Sequence, residues 1–231
     1  MSADPIDTVP LTLAVGSAGS VSALLESPPA PHACYVFAHG AGAGMQHAFM
    51  RAVSAGLAAR GMACLRYQFP YMEQGSKRPD PPKVAHAAVR AAVDAAAQRL
   101  PGVPLLAGGK SFGGRMTSQA QAAAPLPGVR GLAFFAFPLH PAGKPGVERA
   151  AHLRDVSCPM LFLQGTRDEL ADPALLRATV DALGARATLE PVDGADHAFH
   201  VLARSGRTDA QVLAGLLDAM QRWSGRVLAA A

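Results

Sequence analysis

Leu105-Leu106-Ala107-Gly108-Gly109-Lys110-Ser111-Phe112-Gly113-Gly114-Arg115-Met116 is a short apolar run that breaks into glycines around one serine and then resumes with helical character. It reads as strand, sharp turn, helix. Gly109-Lys110-Ser111-Phe112-Gly113 carries the G-x-S-x-G pattern, in which a strained turn lifts the serine hydroxyl out at the carboxyl end of a strand. The glycines let the strand and helix backbones approach where a side chain would collide. The amide after Ser111 opens a helix, so its N–H faces any anion that develops there. Two other readings compete. A phosphate-binding loop also ends in Gly-Lys-Ser, but it needs glycine where this chain has Pro104. A glycine-rich turn with a capping serine is the plainer reading, and residues downstream decide.

The chain has 231 residues, half of them apolar, which suits one α/β domain with a sizeable core. Residues 11–231 are expected to form it, after a flexible amino terminus over 1–10. The net charge is +4, and its arginines are spread from Arg51 to Arg226 without forming a stripe, which points away from nucleic acid. Three cysteines, Cys34, Cys64 and Cys158, each lie inside an apolar run and read as buried small hydrophobes. An odd, widely spaced set argues against a disulfide framework and a zinc site, so no metal is expected. Met1 to Pro10 carries Asp4 and Asp7 and lacks a basic, then apolar, leader. No apolar run approaches the roughly 18 residues of a membrane span. The expectation is a cytoplasmic protein with no membrane partner; its oligomeric state is not encoded in any pattern.

In chain order, Leu11 to Val15 and Val21 to Glu26 predict an antiparallel hairpin. Strands follow at 33–39, 62–67, 103–107, 129–137, 159–164 and 187–192. Helices are predicted over 48–60, 83–99, 112–123, 173–183 and 208–223, the second with Ala85, Ala88, Val89, Ala92, Val93 and Ala96 at helical spacing. Alternating strands and helices imply a mostly parallel sheet with helices on both faces. Functional groups then gather beyond the carboxyl ends of the strands. Ser111, Asp168 and His197 each fall in such a loop, after three different strands, in the order Ser, Asp, His expected of a hydrolytic triad.

With these residues in place the chain resembles the α/β-hydrolase fold family, and more narrowly its small, lidless dienelactone-hydrolase-like branch. The resemblance covers essentially the whole chain. It rests on His39-Gly40-Ala41-Gly42, Gly109-Lys110-Ser111-Phe112-Gly113, Leu163-Gln164-Gly165-Thr166-Arg167-Asp168 and Gly194-Ala195-Asp196-His197-Ala198-Phe199. One such motif is weak, whereas four in order at strand ends are specific. The elbow holds serine where dienelactone hydrolases proper hold cysteine, which counts against a lactone substrate. The fold implied is an α/β hydrolase without a cap domain, because the connection from Pro138 to Val156 is too short to build one.

Acyl transfer then assigns roles. His197 would be base toward Ser111 and acid toward the leaving group, with Asp168 holding its tautomer. The amides of Ala41 and Phe112 are the natural oxyanion pair. Asp172 is better placed than Asp168 to cap the helix near Pro173; Asp193 and Asp196 read as turn formers, and His197 is preferred to His200. His39, Tyr67, Phe69, Tyr71 and His140 are candidate substrate contacts, the walls of a shallow cleft being Tyr67, Phe69 and Tyr71 on one side and Phe137, Leu139 and His140 on the other. Lys110 and Arg115 flank the elbow and read either as a solvated face or as contacts to an acidic substrate group. The expected function is a serine hydrolase acting on a small ester or thioester without a cofactor. A non-catalytic scaffold of the same fold, serving protein interaction, is the alternative. A haloalkane dehalogenase would need an aspartate at position 111.

Overall fold

The computed structural model describes residues 6–230. An eight-stranded sheet in the order β1-β2-β4-β3-β5-β6-β7-β8 runs through the middle. Its strands are β1 (Asp7–Ala14), β2 (Ser20–Ser27), β3 (Ala33–Ala38), β4 (Met62–Tyr67), β5 (Leu105–Lys110), β6 (Val129–Phe135), β7 (Met160–Gly165) and β8 (Ala187–Val192). β1 and β2 form an antiparallel hairpin, β2 meets β4 antiparallel, and all remaining pairings are parallel. The helices are α1 (Ala48–Ala58), α2 (Pro70–Glu73), α3 (Pro82–Arg99), α4 (Phe112–Ala123), α5 (Pro173–Leu183) and α6 (Asp209–Ala229).

Side chains alternate across each strand, and that period of two divides the core. Cys34, Val36 and Ala38 of β3 belong to the core on the face covered by α3, α4 and α5, whereas Ala33, Tyr35 and Phe37 belong to the core on the face covered by α1 and α6. β3, β4 and β7 are buried along their whole length, as strands covered on both faces must be. The alanine-rich face expected of α3 is the face it buries.

Several boundaries differ from expectation. β1 begins at Asp7, so residues 7–10 of the stretch expected to be flexible are paired with 24–27. Pro10 is tolerated because β1 is an edge strand and has a neighbour on one side only. Residues 1–5 of that expectation lie outside the described residues. α2 and a 3-10 segment at Glu148–Asp155 were not foreseen, and α6 runs on to Ala229. The 3-10 segment is the only regular element between Pro138 and Val156, so no cap domain covers the sheet there.

The join from β5 to α4 fixes the rest. Ser111 takes φ 51° and ψ −116°, a strained turn for a residue with a side chain. Its amide donates to the Phe135 carbonyl at 3.0 Å, tying the turn to β6. Gly113 presses the first turn of α4 onto the end of β3: a Cβ there would stand 2.5 Å from the Ala38 oxygen and 2.6 Å from that of His39. Both obstacles are backbone and cannot swing aside. Gly113→Ala is therefore expected to cost roughly 2 kcal/mol or more in chemical denaturation, as overpacking does; an unchanged midpoint would contradict so close an approach.

Candidate active site

Three loops at the carboxyl ends of β5, β7 and β8 bring Ser111, Asp168 and His197 together. Ser111 Oγ lies 2.9 Å from His197 Nε2, and His197 Nδ1 lies 2.8 Å from Asp168 Oδ2. An ionised carboxylate only accepts, so Nδ1 carries the proton and Nε2 turns its lone pair to the serine hydroxyl. The Asp168 side chain is wholly buried, while 30% of the His197 side chain remains exposed. Two further donors hold the carboxylate: Gln164 Nε2 at 2.6 Å on Oδ2 and the Leu170 amide at 2.8 Å on Oδ1. Gln164 was missed as a site residue. Its signal was a polar side chain at the end of an otherwise apolar strand.

Gly165 explains how the aspartate and histidine loops close on one another. A Cβ there would sit 2.4 Å from the Ala195 oxygen. The Arg167 amide donates to the Ala195 carbonyl at 2.9 Å, and Thr166 Oγ1 accepts from the Gly194 amide at 2.8 Å. The turn formers do as expected: Asp196 Oδ1 accepts from the Ala198 and His200 amides, and Asp172 caps α5 through the Ala174 and Leu175 amides. Asp168 is thereby left for His197. His200 is turned away onto Asp209 at 2.9 Å, on the surface.

Lys110 is half-buried and borders a cavity at Ser111. Its Nζ donates to the backbone carbonyl of His197 and lies 5.9 and 5.4 Å from the ring centroids of Phe49 and Phe199, which stack on each other. Burial lowers its pKa to about 8, opposed by the nearby Asp168 and Asp196 carboxylates. The ammonium thus anchors the loop that carries the histidine.

Two open cavities meet at Ser111. One of about 360 Å³ is lined by Phe49, Met50 and Ala198; another of about 350 Å³ is lined by Arg115, Met116 and Arg149. Ala41 and Leu170 border both. The amides of Ala41 and Phe112 have no hydrogen-bond partner among the described residues, and both residues border the second cavity.

The expected aromatic walls are corrected. His39, Tyr67, Phe69, Tyr71 and His140 border neither cavity, and Phe137 and Leu139 are fully buried. Phe69 has turned inward, 5.4 Å from the Tyr67 ring, 5.3 Å from Phe112 and 4.9 Å from His39. Burying such rings removes far more apolar area from water than a loop edge could. Both histidines are structural brackets. His39 Nδ1 donates to the Gly40 carbonyl at 2.8 Å and its Nε2 accepts from the Phe69 amide at 3.0 Å. His140 does the same between the Pro141 carbonyl and the Asp172 amide.

A sheet of this order with a serine at the turn after its fifth strand and a histidine and an aspartate from later loops is an α/β-hydrolase arrangement. A family model described as alpha/beta hydrolase domain matches residues 31–225, and the chain belongs to that family. No curated protein matches it. Among solved structures it is similar to a serine hydrolase without a lid from Xanthomonas campestris (22% identity, 95% of this chain and 96% of that one, TM-score 0.73). It is also similar to a dienelactone hydrolase from Anabaena variabilis (19%, 94% and 96%, 0.75) and to the esterase domain of a Rhodothermus marinus protein (18%, 96% and 99%, 0.73). No helix among the described residues is long and apolar enough to cross a membrane.

His39 gives this site a pH signature of stability. Burial lowers its pKa from 6.5 to about 4, the bond to Gly40 opposing it. The unfolded chain takes up the proton below its ordinary pKa while the fold refuses it, so stability that is complete above pH 6.5 drains away toward pH 4. The loss attributable to this ring is roughly 3 kcal/mol. His39→Gln, which keeps an acceptor and a donor, is expected to flatten the curve of unfolding free energy over that interval; an equally steep curve in the variant would assign the loss elsewhere.

Proposed function

We propose that this protein is a serine hydrolase that cleaves a small ester or thioester through an acyl-enzyme. The observation that carries the reading is the hydrogen-bonded chain from Ser111 Oγ through His197 to the buried carboxylate of Asp168. Ser111 Oγ attacks the carbonyl carbon as its proton passes to His197 Nε2, and the carbonyl oxygen becomes an anion. The amides of Ala41 and Phe112 stabilise that anion. As the tetrahedral centre collapses, the proton on Nε2 goes to the departing alcohol or thiol. Water then enters, loses a proton to His197 and releases the acid, restoring Ser111. Asp168 acts through His197 by fixing its tautomer and balancing the imidazolium, and Gln164 and the Leu170 amide hold Asp168 in place. The three free cysteines agree with a cytoplasmic setting.

Ser111→Ala is expected to abolish labelling by a fluorophosphonate and to lower esterase turnover by several orders of magnitude. His197→Ala should be comparably inactive, whereas His200→Ala should retain most activity, because that ring faces solvent beside Asp209. Equal labelling of wild type and Ser111→Ala would sink the proposal, and loss of activity in His200→Ala alone would move the base.

A second test concerns size. Both cavities are open and of modest volume, so each added methylene beyond their reach gains little of the roughly 0.8 kcal/mol that burial would give. kcat/KM is expected to stay level or decline beyond roughly six acyl carbons on the same reasoning. A steady rise to long chains, measured below the micelle concentration, would require a deep apolar channel.

A further inference from the structure

The second cavity carries charge that the reaction scheme leaves unused. Arg115 stands one helical turn after Ser111, its amide donating to the Ser111 carbonyl at 3.1 Å, so the two side chains share a face of α4. Arg149 comes from the 3-10 segment at Glu148–Asp155, which is fastened to α4 by a 2.8 Å bond between Ser118 Oγ and His152 Nε2. Both arginines line the cavity that opens on Ser111. Among the described residues neither guanidinium forms an ion pair or a side-chain hydrogen bond, and Arg115 Nε is buried with no partner at all. A guanidinium drawn partly out of water without an acceptor costs stability that an anion bound in the cavity would offset.

The surroundings concentrate the positive charge. Burial and then Arg149 lower the pKa of Arg115, and burial together with Arg115 brings that of His152 down to about 4, so this imidazole is neutral. Asp80 lines the same cavity, but its Oδ2 accepts from the Tyr71 amide at 3.0 Å and it lies within 4.0 Å of neither guanidinium. Two arginines against one aspartate leave a single excess positive charge, which matches a monoanion better than a phosphate dianion. Pro79, Pro82, Met116 and Pro138 supply apolar wall around it.

We propose that Arg115 and Arg149 form a subsite for a carboxylate carried by the substrate, so that the ester cleaved at Ser111 belongs to an acidic molecule. This rests on the serine-hydrolase reading, and it goes further by naming the substrate class. A planar carboxylate would take charge-assisted hydrogen bonds from the two guanidinium groups.

The test compares each carboxylate substrate with its neutral carboxamide isostere: methyl hydrogen glutarate against methyl glutaramate for an acid on the acyl side, and 3-carboxyphenyl acetate against 3-carbamoylphenyl acetate for one on the alcohol side. In one of the pairs kcat/KM should favour the carboxylate by about 10- to 100-fold, mostly through KM, as expected for a charge-assisted hydrogen bond. Arg115→Gln and Arg149→Gln should each lower that ratio toward one, and the distant Arg99→Gln should leave it intact. Binding is measured separately by calorimetry on Ser111→Ala with the same four compounds, which reports on the subsite even if no ester is turned over. Ratios near one in both pairs, with equal affinities for acid and amide, would overturn the subsite while leaving the hydrolase standing. Discrimination in binding with no labelling or turnover in wild type would uphold the subsite and sink the hydrolase. Tighter binding of 3-acetoxyphenyl phosphate than of 3-carboxyphenyl acetate would overturn the choice of carboxylate.

Discussion

The structure depends on one backbone approach, the first turn of α4 laid directly on the end of β3. With no side chain at Gly113, helix and strand come together at the distance of backbone atoms, and Ser111 is left at the top of the turn with its φ on the unfavourable side. The strain is held by a bond to Phe135 on one side and by the glycine contact on the other. From that height the hydroxyl meets loops that leave two other strands. A serine set lower by a relaxed turn would lie beneath His197.

Opposed tendencies meet at Lys110, one residue earlier. A charged amine set against two stacked phenylalanines is poorly solvated, which is why its proton is held less firmly than a free lysine's. Yet the same ammonium bonds the carbonyl of His197, so the loop that brings in the imidazole is fastened to the strand that brings in the serine. Ser111 and His197 are thus linked through the protein as well as by the bond they share. Local stability has been exchanged for fixed geometry, as at many functional sites.

The sheet, its helices and the three residues at Ser111 were legible because each is announced locally: glycines where backbones touch, apolar runs where strands are covered, a polar residue just past each strand end. Direction of burial was not. Tyr67, Phe69 and Tyr71 look the same in sequence whether they wall a cleft or fill a core; the segment is held inward by ring packing, by the His39 ring accepting from the Phe69 amide and by Asp80 accepting from the Tyr71 amide. Lys110 stayed open between two readings for the converse reason, since a lysine's default is water and nothing nearby in sequence names the two rings it lies against. Arg149 could not be connected with Ser111 at all, because their place on one cavity depends on a 3-10 segment packing on α4.

Leu170 ties these parts together mechanically. It borders both cavities, its amide holds one oxygen of Asp168, and its carbonyl accepts from the His140 amide at 2.9 Å. Whatever fills either chamber leans on the same wall that steadies the buried acid. A change at this one residue would therefore reshape both chambers and disturb the hold on the Asp168 carboxylate at the same time.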